Sequence, residues 1–178
     1  MGTSSKGTVV NRRHVMQVGD KRVEIEALTL QDWVQAEEEA LNAYRRSMIS
    51  TWTKNADLLP EEIREAKTLE AFDKAQGISL EDLPDQQMEM PTVDPRTGKP
   101  IKGRRGRPVT GMQPVPYTAW WMSKTVAGMR YSVYLSRKRA DPTFRIEDAD
   151  EWFQQMKEDH LEELANKVGE LSEPQVGN

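Results

Sequence analysis

Apolar and polar positions alternate with a period of two near the start of the chain, in RHVMQVGDKRVEIEAL. Val23, Ile25 and Ala27 alternate with charged residues, and Gly19-Asp20 interrupts the pattern, which predicts a β-hairpin with a type II′ turn. Two strands are marginal in water, so the hairpin must lean on a helix or a partner. From Thr29 the period changes to that of a helix. Leu30, Trp33, Val34, Leu41, Tyr44, Met48 and Trp52 keep helical spacing to about Lys54, with Thr29 as N-cap and Asp32 in the first turn. Glu37-Glu38-Glu39 interrupts that stripe and reads as a solvated face. Pro60 opens a second helix that Gly77 stops, and a short turn of helix around residues 79–83 follows.

Residues 84–116 hold seven of the ten prolines and read as a linker, with a two-strand excursion in TVDPRTGKPI. A third helix is predicted over YTAWWMSKTVAGMRYSVYLSRKR. Ala119, Met122, Val126, Met129 and Val133 form one stripe, and Trp120, Ala127, Tyr131 and Tyr134 another about a quarter-turn away. Either both stripes form one wide buried arc, or the aromatic one faces another molecule. After Asp141-Pro142, a last helix from about Glu147 carries Ala149, Trp152, Phe153, Met156, Leu164, Val168 and Leu171 on its apolar side.

These elements predict a mainly α chain with a small N-terminal β-hairpin (α+β) and about four helices joined by a long Pro-rich linker. The expected organisation is a disordered arm over 1–8, a hairpin plus two helices over 9–83, a Pro-rich basic linker over 84–116, a C-terminal helical pair over 117–172 and a tail over 173–178.

Composition narrows the function. The 178 residues are 37% hydrophobic and 30% charged, which suits helices around a modest core. Five Trp and nine Met concentrate apolar area in few positions. The absence of cysteine removes disulfides, thiolate nucleophiles and zinc–thiolate sites. The start of the chain has no apolar signal region, and no run approaches a membrane span, so a cytoplasmic protein without membrane partners is expected.

Charge is unevenly placed. Net charge is −4, yet residues 94–107 carry six basic side chains against Asp94, and residues 147–173 carry ten acids against two lysines.

No catalytic constellation assembles. His14 lies in the hairpin, and His160 lies on the apolar stripe between Met156 and Leu164, where a packed or interfacial histidine is expected. No metalloprotease, phosphate-loop, nucleophile-elbow or dinucleotide motif occurs, and EDADE lacks the oxygen spacing and glycine of a calcium loop. A non-enzyme without cofactor, metal or catalytic residues is expected. One motif does suggest a ligand. The segment RGRP, with Arg104, Arg105 and Arg107, matches the core of an AT-hook, whose extended Arg-Gly-Arg fits the narrow minor groove of A·T-rich DNA. The alternative is a basic linker that contacts acidic helices or a protein partner.

Two stretches together, RHVMQVGDKRVEIEALTLQDWVQAEEE and TAWWMSKTVAGMRYSVYLSRKRADPTFRIEDADEW, resemble the tail assembly chaperones of long-tailed bacteriophages. The likeness centres on Arg139-Ala140-Asp141-Pro142 and the acidic segment after it, and does not extend into the linker. It implies a non-catalytic protein of the host cytoplasm that binds the helical tape measure protein, keeps it soluble and helps recruit tail tube protein. Candidate partner-binding residues are Trp120, Trp121, Tyr131, Tyr134, Trp152 and Phe153, with homo-oligomerisation open. A small DNA-binding accessory protein using the RGRP segment, and a minor structural virion protein, are the other readings.

Overall fold

The computed structural model describes residues 13–18, 21–103, 105–154 and 156–172. The expected N-terminal arm, the Gly19-Asp20 turn, Arg104 and the tail over 173–178 lie outside the described residues. The chain is mainly helical with a two-stranded antiparallel hairpin near its N-terminus, β1 (Arg13–Val18) and β2 (Lys21–Glu26). Among the described residues the helices number six rather than the expected four: α1 (Leu30–Trp52), α2 (Glu61–Gln76), α3 (Tyr117–Lys124), α4 (Val126–Ala140), α5 (Ile146–Gln154) and α6 (Glu158–Ser172). The third predicted helix is two, because Thr125 adopts an extended backbone and its hydroxyl accepts from the Gly128 N–H, starting a new helix. The last predicted helix also divides, and the Lys157 carbonyl accepts the first amides of α6, those of His160 and Leu161.

Residues 84–116 contain a second antiparallel pair, β3 (Gln86–Pro91) and β4 (Thr110–Val115), in register from Gln86 opposite Val115 to Pro91 opposite Thr110. Two compact units result. One comprises residues 1–35 and 122–178, the other residues 36–121. The N-terminal hairpin and the C-terminal helices, far apart in sequence, therefore share a unit.

In the first unit, α4 packs on β2, α5 and α6. Its core is Val23, Ile25, Leu28, Met129, Val133, Leu135, Phe153, Leu161, Leu164 and Val168, all buried. Val23 and Ile25 point inward while Arg22 and Glu24 point outward, as period-two alternation requires. The edge of β2 away from β1 is closed by α4. The Glu26 N–H donates to Ser136 Oγ (2.9 Å), the same hydroxyl donates to the Glu26 carbonyl, and Arg137 Nη1 donates to the Glu24 carbonyl (3.2 Å). Ser136 is fully buried and stands where a third strand would supply these bonds.

In the second unit, Arg45 of α1 donates to the carbonyls of Gln76, the last residue of α2, and of Ile78 just beyond it. Tyr44 meets Tyr117 edge-on at 5.2 Å between centroids, and Tyr117 lies 5.5 Å from Trp120. The buried faces of α1 and α2 are made by alanines: Ala36 and Ala40 in one, Ala71 and Ala75 in the other.

Candidate functional site

The hairpin–α1 junction and the end of α4 meet inside the first unit. Thr29 caps α1: its N–H and hydroxyl donate to Asp32 Oδ2 (2.7 and 2.6 Å), and its own Oγ1 accepts from the Asp32 N–H. Arg139 reaches the same carboxylate (3.4 Å), Thr29 Oγ1 (3.4 Å) and the buried Glu26 (3.9 Å), which Arg13 also engages at 2.7 Å. Next along the chain, the Asp141 carboxylate accepts from the Thr143 N–H (3.1 Å) and hydroxyl (2.6 Å). Those hydrogen bonds hold its pKa below the ordinary aspartate value, with Arg137 adding a smaller push the same way. The Arg-Ala-Asp-Pro segment thus fastens α4 to the hairpin–α1 junction and then turns the chain toward α5.

That turn sets Phe144 opposite β2 and opens a groove of about 470 Å³. Arg22 and Val23 of β2, Arg137 of α4, Phe144, and Asp148, Glu151 and Trp152 of α5 line it. Its apolar wall continues as a run of aromatic rings. Tyr131 lies 5.8 Å from Tyr134, Tyr134 is 6.3 Å from Phe144, Phe144 meets Trp152 edge-on at 6.1 Å, and Trp152 is 5.3 Å from Phe153. Cations cover three of these rings: Arg137 over Phe144 at 5.7 Å, Lys138 over Tyr134 at 5.4 Å, and Arg130 over Phe153 at 5.8 Å.

The two rims differ in charge. Arg22 and Arg137 stand on the β2–α4 side, Asp148 and Glu151 on the α5 side. The Asp148 carboxylate is held below the ordinary aspartate pKa, first by the Arg145 N–H (2.9 Å) and then by the Arg145 side chain. It therefore stays charged well below neutrality. The groove lining is therefore more polar than apolar, with the Phe144 and Trp152 rings set between opposite charges.

Of the six candidate aromatic residues, Tyr131, Tyr134, Trp152 and Phe153 come together, and Phe144 joins them. Tyr131, Tyr134 and Trp152 are half-buried, whereas Phe153 is only 4% exposed and serves the core. Trp120 and Trp121 belong to the second unit, where Trp120 joins the Tyr44–Tyr117 cluster and Trp121 is buried. Sequence reasoning passed over Phe144, Arg22, Arg137, Asp148 and Glu151. The one available signal was an aromatic residue placed directly after an Asp-Pro turn. Arg105 and Arg107 are exposed on the β3–β4 arm. Among the described residues no three or more His, Asp or Glu side chains converge as a metal cluster would, and no helix is long and apolar enough to cross a membrane. Family models, curated proteins and solved structures contain no match to the chain.

Proposed function

We propose that the protein is a non-catalytic assembly chaperone whose α4–α5 groove holds a helical client, the tape measure protein of a long-tailed phage, in the host cytoplasm. The observation that carries this reading is a groove in which the half-buried rings of Phe144 and Trp152 stand between rims of opposite charge. An amphipathic helix docks by laying apolar anchors into such a groove, and its flanking charges set the direction in which it lies. Aromatic anchors carry a disproportionate share of binding energy in such contacts. The resemblance to tail assembly chaperones names the client, and recruitment of tail tube protein belongs to the same proposal. The Arg-Ala-Asp-Pro segment supports it indirectly, since it sets the turn on which Phe144 stands.

Calorimetric titration with the tape measure protein tests the reading. Trp152→Ala and Phe144→Ala should each weaken binding about 30-fold, the effect of losing an anchor worth about 2 kcal/mol. Leu58→Ala, at an 83% exposed position of the second unit, should leave binding unchanged. Equal affinity across all four proteins would refute the groove as the client site.

A further inference from the structure

The β3–β4 arm ends in two turns rather than one. Isolated bridges pair Val93 with Pro100 and Lys102 with Pro108. In the first turn the Asp94 N–H donates to the Lys99 carbonyl (2.9 Å), and Gly98 supplies the left-handed backbone (φ 64°). In the second the Gly103 N–H donates to the Arg107 carbonyl (2.8 Å), and Gly106 takes φ 72°. Three backbone bonds tie both turns to the stem: Thr92 N–H to Val109 O (2.7 Å), Ile101 N–H to Thr92 O (2.8 Å) and Val109 N–H to Ile101 O (2.8 Å).

This three-way junction displays Arg96, Lys99, Lys102, Arg105 and Arg107, all exposed. Among the described residues none of the five has an ion-pair partner. Elsewhere among the described residues Arg13, Arg46, Lys74, Arg139 and Lys167 each reach a carboxylate, while Lys54 and Lys124 stand singly without one; the tip differs in gathering five such cations on two adjoining turns. The one acid in the segment, Asp94, is turned onto its own loop, accepting from the Arg96 N–H at 2.8 Å. Five like charges on adjoining turns repel one another, and a ligand with closely spaced negative charges relieves that repulsion. Double-stranded DNA carries about one charge per 1.7 Å of axis. The Gly103–Arg107 hydrogen bond closes Arg105-Gly106-Arg107 into a turn, so these arginines do not form the extended strip that a minor-groove hook requires. Their reach is to phosphates rather than to base edges.

We propose that this two-turn tip binds the phosphate backbone of double-stranded DNA without base selection, independently of the α4–α5 groove. Fluorescence anisotropy of the full-length protein with labelled 20-base-pair duplexes, one A·T-rich and one G·C-rich, tests it across 50–200 mM salt. If all five cations engage phosphates, log affinity falls against log salt with a slope of about −4.5, an affinity loss of about 500-fold over that range. Lys102→Ala/Arg105→Ala/Arg107→Ala should cut the slope to about −1.8 and the loss to about 12-fold, equally on both duplexes. Arg96→Ala/Lys99→Ala, confined to the other turn, should give an intermediate slope and guards against a folding defect in the triple variant. Binding to the A·T-rich duplex alone would overturn the proposal in favour of a hook. Unchanged slopes in both variants, absence of binding at 50 mM salt, or tighter binding to polyglutamate or phosphatidylserine vesicles would each overturn it as well.

Discussion

Replacing Ser136 by alanine removes one oxygen and should cost the first unit about 2–6 kcal/mol. The hydroxyl accepts from the Glu26 N–H at 2.9 Å and donates to the Glu26 carbonyl, and serine and backbone are all buried. A buried backbone group left without a partner costs about 1–3 kcal/mol, and the substitution strands two of them at once. Little volume is lost, so a cavity contributes little. In urea the expected result is a fall in unfolding free energy by that amount with an unchanged m-value. By heat, a loss of about 3 kcal/mol corresponds to a Tm lower by about 6–12 °C for a chain of this size. Ser132→Ala is the matched control. Ser132 is buried on the same helix, but its hydroxyl donates to the Met129 carbonyl (2.9 Å), which the α4 ladder already engages. Its loss should therefore stay within about 0.5 kcal/mol, as for substitutions that strand no buried group. If Ser136→Ala also stays within about 0.5 kcal/mol, α4 does not close the β2 edge and the account of the hairpin's stability is wrong.

Arg139→Ala should destabilise by about 1 kcal/mol, the discounted value for a partly exposed pair, and Arg139→Lys should not restore it, because one ammonium cannot span Glu26 and Asp32 as the guanidinium does; urea unfolding of both variants checks this. Acid should destabilise through carboxylates whose folded pKa lies below the unfolded one, Asp82, Asp141 and Asp148. Their contribution is complete above the ordinary aspartate pKa of about 4 and is lost as pH falls through the depressed folded values. Tm measured against pH should hold from pH 7 to 5 and fall below about 4, with a shallower fall in Asp141→Asn.

Much of this fold was legible in the pattern of residues, and the exceptions share physical causes. Alternation at Val23 and Ile25 placed the hairpin, and Thr29 with Asp32 placed the start of α1. The requirement that a lone hairpin lean on a helix was met by Ser136, a small polar residue that no hydrophobic pattern marks. Helix breaks at Thr125 and before Lys157 were hidden because apolar spacing continues across both, and only the cap at Thr125 reveals the change of direction. In α1 part of the expected apolar stripe misled. Leu30 is 80% exposed and Val34 55%, while Ala36 and Ala40 are buried. Alanines carry little weight in a hydrophobic stripe, so the pattern does not mark them.

The site was legible in part. Tyr131 and Tyr134 could be nominated because aromatic residues at helical spacing form a surface stripe, and the structure leaves both half-buried beside Trp152. Phe144, Arg22 and Arg137 came from three elements that only tertiary contact unites, so no local pattern linked them. The RGRP motif was plain in the sequence, but its meaning depended on a backbone turn. A hydrogen bond between residues 103 and 107 changes a strip into a loop.

Hydrogen–deuterium exchange of the full-length protein, with and without the proposed client, a phage tape measure protein, tests the central claim most directly. The account predicts that added client slows exchange over residues 141–154 and at Arg22–Val23, the backbone that frames the groove. Unchanged exchange there at saturating client, or protection confined to α2, would contradict it.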